Sequence, residues 1–246
     1  WEISGTVVTG LSNATYVTKR SFDMLTVPPK VPYKATIITD GYFNENISSV
    51  QNDNKLYGNA KITKIDLNNV TEVRPKAFYG SQNLETVIAN KVKKIGSSAF
   101  RATKVSKFNF PELEELAYDS SEGTHTSGVS ATIKSIMEGQ VFPSTTTHII
   151  IGSKLTKIGA WAFGGTENTL RELRIGVTTP SQLTVLSGYL KYGWYNGYGG
   201  GIAYHYHNSP ITTNNATLYV PTAAVGDWKI RQTWITTYFA DRVRGY

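Results

Sequence analysis

Between Ile62 and Phe163 the apolar residues of this chain return on a fixed schedule. Counted from Leu84, they occupy positions one, four, six, nine and twelve (Leu84, Val87, Ala89, Val92, Ile95), and Ala99–Phe100 closes the unit. A shift of 22 residues back finds Ile62, Ile65, Leu67, Val70 and Val73, closed by Ala77–Phe78. A shift of 21 forward finds Val105, Phe108, Phe110, Leu113 and Leu116, with Ser120–Ser121 where the Ala-Phe pair is expected. A constant period of twenty-odd residues constrains the fold to a solenoid, in which no unit shelters its own apolar side and a core forms only by stacking.

Within a unit, positions three to six alternate between outward and inward residues (Thr86 out, Val87 in, Ile88 out, Ala89 in), the two-residue period of a strand. In-register stacking turns these short strands into a parallel sheet. Gly96 and Gly159 follow position twelve or thirteen, where a tight bend or left-handed turn is expected. Further units are read more loosely. A degenerate fourth uses Val129, Ala131, Ile133, Ile136 and Phe142 after a loop at Ser120–Gly128. The fifth is Ile149, Ile151, Leu155, Ile158 and Ala162–Phe163, and the sixth begins Leu170, Leu173, Ile175 before Pro180 interrupts it. A closing unit reads Leu218, Val220, Pro221, with a short helix over Thr222–Lys229 and Thr222 as its N-cap. Leu25, Val27, Ile38 and Tyr42–Phe43 look like a stretched first copy. The division that follows is a strand-rich cap at 1–60, an array at 61–179, a Tyr/Gly-rich insertion at 180–214 and a closing cap at 215–246.

The repeat LxxVxIxxxVxxIGxxAF resembles the BspA-like leucine-rich repeat, and Leu218–Tyr219–Val220–Pro221 with Trp228, Lys229 and Trp234 is similar to that family's closing unit. The resemblance covers 62–179 and 215–240, with a weaker trace at 25–43. It implies an α/β repeat solenoid, the right-handed leucine-rich-repeat superhelix, mostly strand and turn with few short helices. It also implies a bacterial cell-surface or secreted protein, an adhesin, lipoprotein or binding scaffold, with an extracellular partner.

Composition narrows the function from another side. The chain has no cysteine, so disulfides, thiol chemistry and Cys-based zinc sites are excluded. No apolar run approaches the roughly 18 residues of a membrane span. The chain opens on Trp1 rather than Met, so a leader is expected to have been removed. Net charge is +7, and ten Lys or Arg fall within 61–107 against Asp66, Glu72 and Glu85. That sector could attract an anionic surface, although a row of solvated lysines is the simpler reading. Nucleic acid is not expected, since stacking aromatics are not interleaved with the charges. The strong catalytic motifs HExxH, GxSxG and GxxxxGK[ST] are absent, and no enzyme or cofactor is expected. His205 and His207 share a spacing that could hold a metal but lack a third ligand nearby, so no metal is expected. The acidic run Glu112, Glu114, Glu115, Asp119 and Glu122 lacks any calcium-loop spacing. It reads as a solvated face that pairs with the basic sector.

Two surfaces remain as candidates for binding. One is the outward ladder of the sheet, concave in a solenoid of this kind, whose rungs include Lys64, Thr86, Ile88, Lys107, His148, Ile150, Arg174 and Tyr219. Asp66, Asn109, Glu172 and Thr217 complete those rungs. The other is Ser187–His207, with Tyr189, Tyr192, Trp194, Tyr195, Tyr198, Tyr204, Tyr206 and six glycines. Tyr and Trp supply rigid contact area at low entropic cost, and Gly lets a loop adapt. Such a stretch suits a glycan or a protein, or serves as a cover over the solenoid edge. The lead expectation is a non-enzymatic scaffold that binds a protein; the alternative is a carbohydrate-binding surface protein using the insertion.

Overall fold

A computed structural model describes residues 2–5, 7–10, 25–26, 37–38, 56–59, 62–119, 140–159, 162–166, 168–186, 188–192, 203–207, 216–231 and 239–246. Its strands are short and come in pairs along the chain. They are β1 (Glu2–Ser4), β2 (Val7–Gly10), β3 (Leu25–Thr26), β4 (Ile37–Ile38), β5 (Lys64–Asp66) and β6 (Glu72–Val73). Then come β7 (Thr86–Ile88), β8 (Lys94–Ile95), β9 (Lys107–Phe110), β10 (Glu115–Leu116), β11 (His148–Ile151) and β12 (Lys157–Ile158). The last are β13 (Glu172–Ile175), β14 (Thr184–Val185), β15 (Gly188–Tyr192), β16 (Ala203–His207), β17 (Thr217–Val220) and β18 (Val243–Gly245), with helix α1 at Val225–Arg231.

From β3 to β14 the first strand of each pair builds one wall and the second builds another. The first wall consists of the ladders β3–β5–β7 and β9–β11–β13–β17–β18, with β7 beside β9. The second is a single sheet in the order β1–β2–β4–β6–β8–β10–β12–β14, parallel apart from the β1–β2 hairpin. Register is strict. Ile65 pairs with Val87, Ile149 with Phe108 and Leu173, and Leu173 with Leu218. On the other wall Val73, Ile95, Leu116, Ile158 and Val185 follow one another in line. Leu25 pairs with Ile65 and Ile38 with Val73, so the stretched first copy sits in register with the second.

The closing Ala-Phe pairs face these walls from the third side. Phe78, Phe100 and Phe163 are fully buried. Phe78 stacks on Phe100 with centroids 5.4 Å apart and planes 6° from parallel, and Phe142 stacks on Phe163 at 5.7 Å and 7°. Phe108 lies between the two pairs, 5.2 Å from Phe100 and 5.0 Å from Phe142. The backbone joins in: Phe78 N–H donates to the Ala99 carbonyl, Phe100 N–H to Val141, and Val141 N–H to Ala162, all at 2.8–3.1 Å.

That line of bonds corrects the reading of a fourth unit. β9 pairs directly with β11, and β10 with β12, leaving no strand position between them. Val141–Phe142 takes the third unit's Ala-Phe place, and Ser120–Ser121 fall outside the described residues. The residues Val129, Ala131, Ile133 and Ile136 fall outside the described residues.

Two turn assignments also change. Neither Gly96 nor Gly159 is left-handed, although Ala117 in the same place of the third unit is, with φ 51°; other left-handed residues include Lys76 and Ser98, just before Ala-Phe, and Gly80, Ala102 and Gly165, two after the Phe. Gly96 is needed for space instead, since a Cβ there would lie 2.4 Å from the Pro75 nitrogen. Thr222 does not cap a helix. It opens a 3-10 turn, Thr222–Ala224, and its hydroxyl donates to the Tyr246 carbonyl at 3.0 Å. α1 begins after that turn and buries Trp228, whose indole N–H donates to the Val177 carbonyl at 2.9 Å. Trp228 and Phe239 thus close the core at this end, while Trp234 falls outside the described residues.

Two substitutions test the stack. Phe100→Ala removes the ring that touches Phe78, Phe108 and Phe110 and should cost about 3–5 kcal/mol in urea unfolding. Ala102, with φ 58°, sits where its neighbours in the pattern have glycine; Ala102→Gly should raise the unfolding midpoint by the equivalent of about 1 kcal/mol.

Candidate functional site

The outward residues of the first wall form two columns within each of its ladders. On β5–β7 Lys64 aligns with Thr86 and Asp66 with Ile88; on β9–β11–β13–β17–β18 one column is Lys107, His148, Glu172 and Thr217 and the other is Asn109, Ile150, Arg174, Tyr219 and Arg244. Alternation along each strand produces them, because Ile65, Phe108, Ile149, Leu173 and Leu218 turn inward and are buried. Val87 is only partly buried, although it packs against the core. Lys64, Lys107 and Asn109 are exposed. Ile88, Ile150, His148, Arg174 and Tyr219 are half-buried.

Arg174 is the best-held polar group on this wall. Its Nη2 donates to Glu172 Oε1 at 3.1 Å, and its guanidinium lies 4.8 Å from the centroid of Tyr246 and 5.7 Å from that of Tyr219. Its Nε is buried without a hydrogen-bond partner. Neither Tyr246 nor Arg244 was foreseen as part of the surface. They arrive on β18, a strand of three residues with too little apolar pattern to be read as one. His148 Nδ1 lies 2.8 Å from Thr147 Oγ1.

The second wall carries a different electrostatic pattern. Its outward column reads Glu72, Lys94, Glu115, Lys157, Thr184, so neighbouring strands alternate in sign. Lys94 pairs with Glu115 at 2.6 Å, and Lys93 with Glu114 at 2.9 Å. Lys154 pairs with Glu112 at 2.5 Å. Within the basic sector, Lys93 and Lys94 are therefore neutralised by the acidic run one unit on. The hydrogen bond and charge of Glu115 raise Lys94 above the ordinary lysine value. The contribution of that pair to stability is present below the unfolded-state value and fades as pH rises through the folded one. A groove of about 380 Å³ opens at one edge, lined by Glu114, Lys154, Thr156, Thr179 and Gln182 among others. Its two charged groups are already committed to Lys93 and Glu112.

The aromatic insertion is an antiparallel hairpin. β15 pairs with β16 so that Tyr189 stands opposite Tyr206, Lys191 opposite Tyr204, and Tyr192 opposite Ala203. His205 and His207 stand opposite Leu190 and Gly188. Trp194, Tyr195 and Tyr198 fall outside the described residues. Among the described residues no group of three His, Asp or Glu is placed to hold a metal ion. No helix there is long and apolar enough to cross a membrane.

Comparison with protein-family models adds one finding. The model described as BspA type Leucine rich repeat region matches in 6 copies over residues 30–124 and 112–187, well over half of the chain. The chain belongs to the BspA-type leucine-rich repeat family. No curated protein and no solved structure matches it. The BspA-type match ends at 187, yet β17 and β18 continue the first wall in register beyond it. Sequence reading missed a small motif of the BspA-type unit here: a hydroxyl three residues after the Phe. Thr103 Oγ1 donates to the Phe100 carbonyl and Thr166 Oγ1 to Phe163, both at 2.8 Å. Ser81 occupies the same place after Phe78 and donates its hydroxyl to the Leu56 carbonyl instead.

The Arg174 cluster can be tested by a substitution that keeps its charge. Arg174→Lys removes the planar group that faces the two tyrosines. It should lower stability by about 0.5–1 kcal/mol, with Tyr246→Ala giving a loss of similar size in urea titrations.

Proposed function

We propose that this BspA-type repeat protein is a non-enzymatic cell-surface or secreted scaffold that binds a protein partner across the outward columns of its first wall. In this reading the array at 61–179 carries the face, 1–60 and 215–246 close its ends, and 180–214 is an accessory insertion. The supporting observation is the combination of apolar and charged outward groups on its paired strands: Ile88 half-buried on β7 beside Lys64 and Asp66 of β5, and Ile150 half-buried on β11 with Lys107, Arg174 and Tyr219 on the strands of its ladder. Every position sits on a strand bonded to neighbours, so little ordering entropy is left to lose on binding. The extracellular location follows from the family and not from the geometry.

A carbohydrate-binding role for the hairpin is the second reading. It is favoured by the aromatic content of the insertion, in which Tyr189 stands opposite Tyr206 across β15 and β16. Peptide display on the whole chain, followed by binding measurements on variants, separates the two. Protein binding at the wall predicts that Ile150→Asp weakens the selected ligand about tenfold or more, while Trp194→Ala and Tyr198→Ala leave it unchanged. A glycan-array signal that disappears in the Trp194 and Tyr198 variants, with no peptide sensitive to Ile150, would reverse the assignment.

A further inference from the structure

The first wall ends on β18, and among the described residues no strand pairs with its far edge. In a parallel ladder the N–H and C=O of one residue point to the same neighbour, and those of the next residue point the other way. Tyr246 turns both of its groups to β17. Its N–H donates to the Val220 carbonyl at 3.1 Å, and its carbonyl accepts from the Thr222 N–H at 3.3 Å. Arg244 does the same by alternation, which leaves the backbone groups of Val243 and Gly245 on the open edge.

These two residues are not equally open. Gly245 is exposed although it stands at an inward position beside Val220, where a Cβ would lie 2.6 Å from the Thr222 hydroxyl oxygen. What it exposes is therefore backbone. Val243 is only 2% exposed. Its carbonyl accepts from Arg244 Nη1 at 3.1 Å, and the same Nη1 donates to the Asp241 carbonyl. The Arg244 side chain thus folds over the edge of its own strand.

The edge beneath it is self-complementary. Two copies of β18 laid antiparallel about Arg244 would set Val243 of each opposite Gly245 of the other, the arrangement in which paired residues exchange both backbone bonds. Tyr246, 51% exposed, would add apolar area to such a contact. Arg244 opposes the pairing twice. Its guanidinium already occupies the Val243 carbonyl, and at the centre of the pair it would meet Arg244 of the second copy, with like charges directly opposite. Asp241, the acidic residue of this segment, lies three residues back, outside the paired stretch, and does not offset that repulsion. We infer that Arg244 guards the end of the first wall, holding shut an edge on which a second copy of the chain would otherwise pair antiparallel.

The test is the mass of the whole chain by sedimentation. The wild-type chain should stay at monomer mass over a concentration range in which Arg244→Ala shifts to dimer mass. Lys229→Ala removes the same charge from α1 and should not shift. The chain has no native cysteine, so Arg244→Cys supplies a geometric readout. At the centre of the antiparallel pair the two Cα atoms would lie about 4.5 Å apart, within disulfide reach. Mild oxidation should therefore cross-link this variant and leave Lys229→Cys monomeric. Arg244 is exposed and bonds only to carbonyls of its own segment, so its replacement should leave the thermal midpoint unchanged, which is measured alongside. A wild-type dimer, a monomeric Arg244→Ala variant, or equal association of Lys229→Ala overturns the inference. Association of Arg244→Ala without cross-linking of Arg244→Cys overturns it as well, since the second copy would then be seated elsewhere.

Discussion

A strand of three or four residues has one apolar side and nothing of its own to set against it. Its backbone groups are in the same position, since a lone strand leaves every N–H and C=O without a partner. Both deficits are met by the same neighbour, the equivalent strand one period away. This is why register here is not a detail of the fold but its cause. A slip of one residue would turn Ile65, Phe108, Ile149 and Leu173 to solvent and bring Lys64, Lys107 and Glu172 into the core. The third side follows the same logic by other means: where the backbone turns, Phe78, Phe100, Phe142 and Phe163 supply the apolar fill and exchange hydrogen bonds from turn to turn.

This dependence explains what could be read from the chain. Positions one to twelve were legible because each is repeated, and burial imposes the same residue class at each repeat. The stretch after Asp119 was not, because Val129, Ala131, Ile133 and Ile136 repeat the spacing of a unit although β9 pairs directly with β11 and β10 with β12. The clue to the correct reading is local. Phe142 is followed by Pro143, Ser144, Thr145 and Thr146, the Phe-then-hydroxyl order that also follows Phe78, Phe100 and Phe163. Thr146 is buried, and its hydroxyl donates to the Val105 carbonyl at 3.4 Å. Turn chemistry was misread at Gly96 for a related reason: a glycine can answer a demand for space as well as one for conformation, and only the position of Pro75 distinguishes them.

The charges illustrate a different limit. In the sequence, 61–107 is simply basic and 112–122 is simply acidic. Stacking brings a residue next to its equivalent about 21 places on, so Lys93 meets Glu114 and Lys94 meets Glu115. A charge run therefore says little until the period is applied to it. Once it is, Lys93 and Lys94 prove to be neutralised by Glu114 and Glu115, while Lys64 and Lys107 on the first wall form no ion pair among the described residues. The candidate face was legible as a set of alternating positions, whereas its electrostatic character, and the tyrosine that β18 places over Arg174, depend on contacts between residues far apart in the chain.

The construction also bears on how such a face can change without loss of the fold. Inward positions are fixed by the stack, and turn positions by backbone geometry such as the left-handed residues beside Phe78, Phe100 and Phe163. Outward positions of the first wall answer to neither demand. Lys107, His148 and Glu172 stand on adjacent strands of one column and share no chemical class. A surface whose side chains are free to vary on a backbone that is not free to move is a suitable platform for recognition. The hairpin at β15–β16 extends the principle in another direction, since it enters between β14 and β17, where the array tolerates added chain while β13 still pairs directly with β17. Insertion and substitution are thus both confined to places that the stacking interaction does not use.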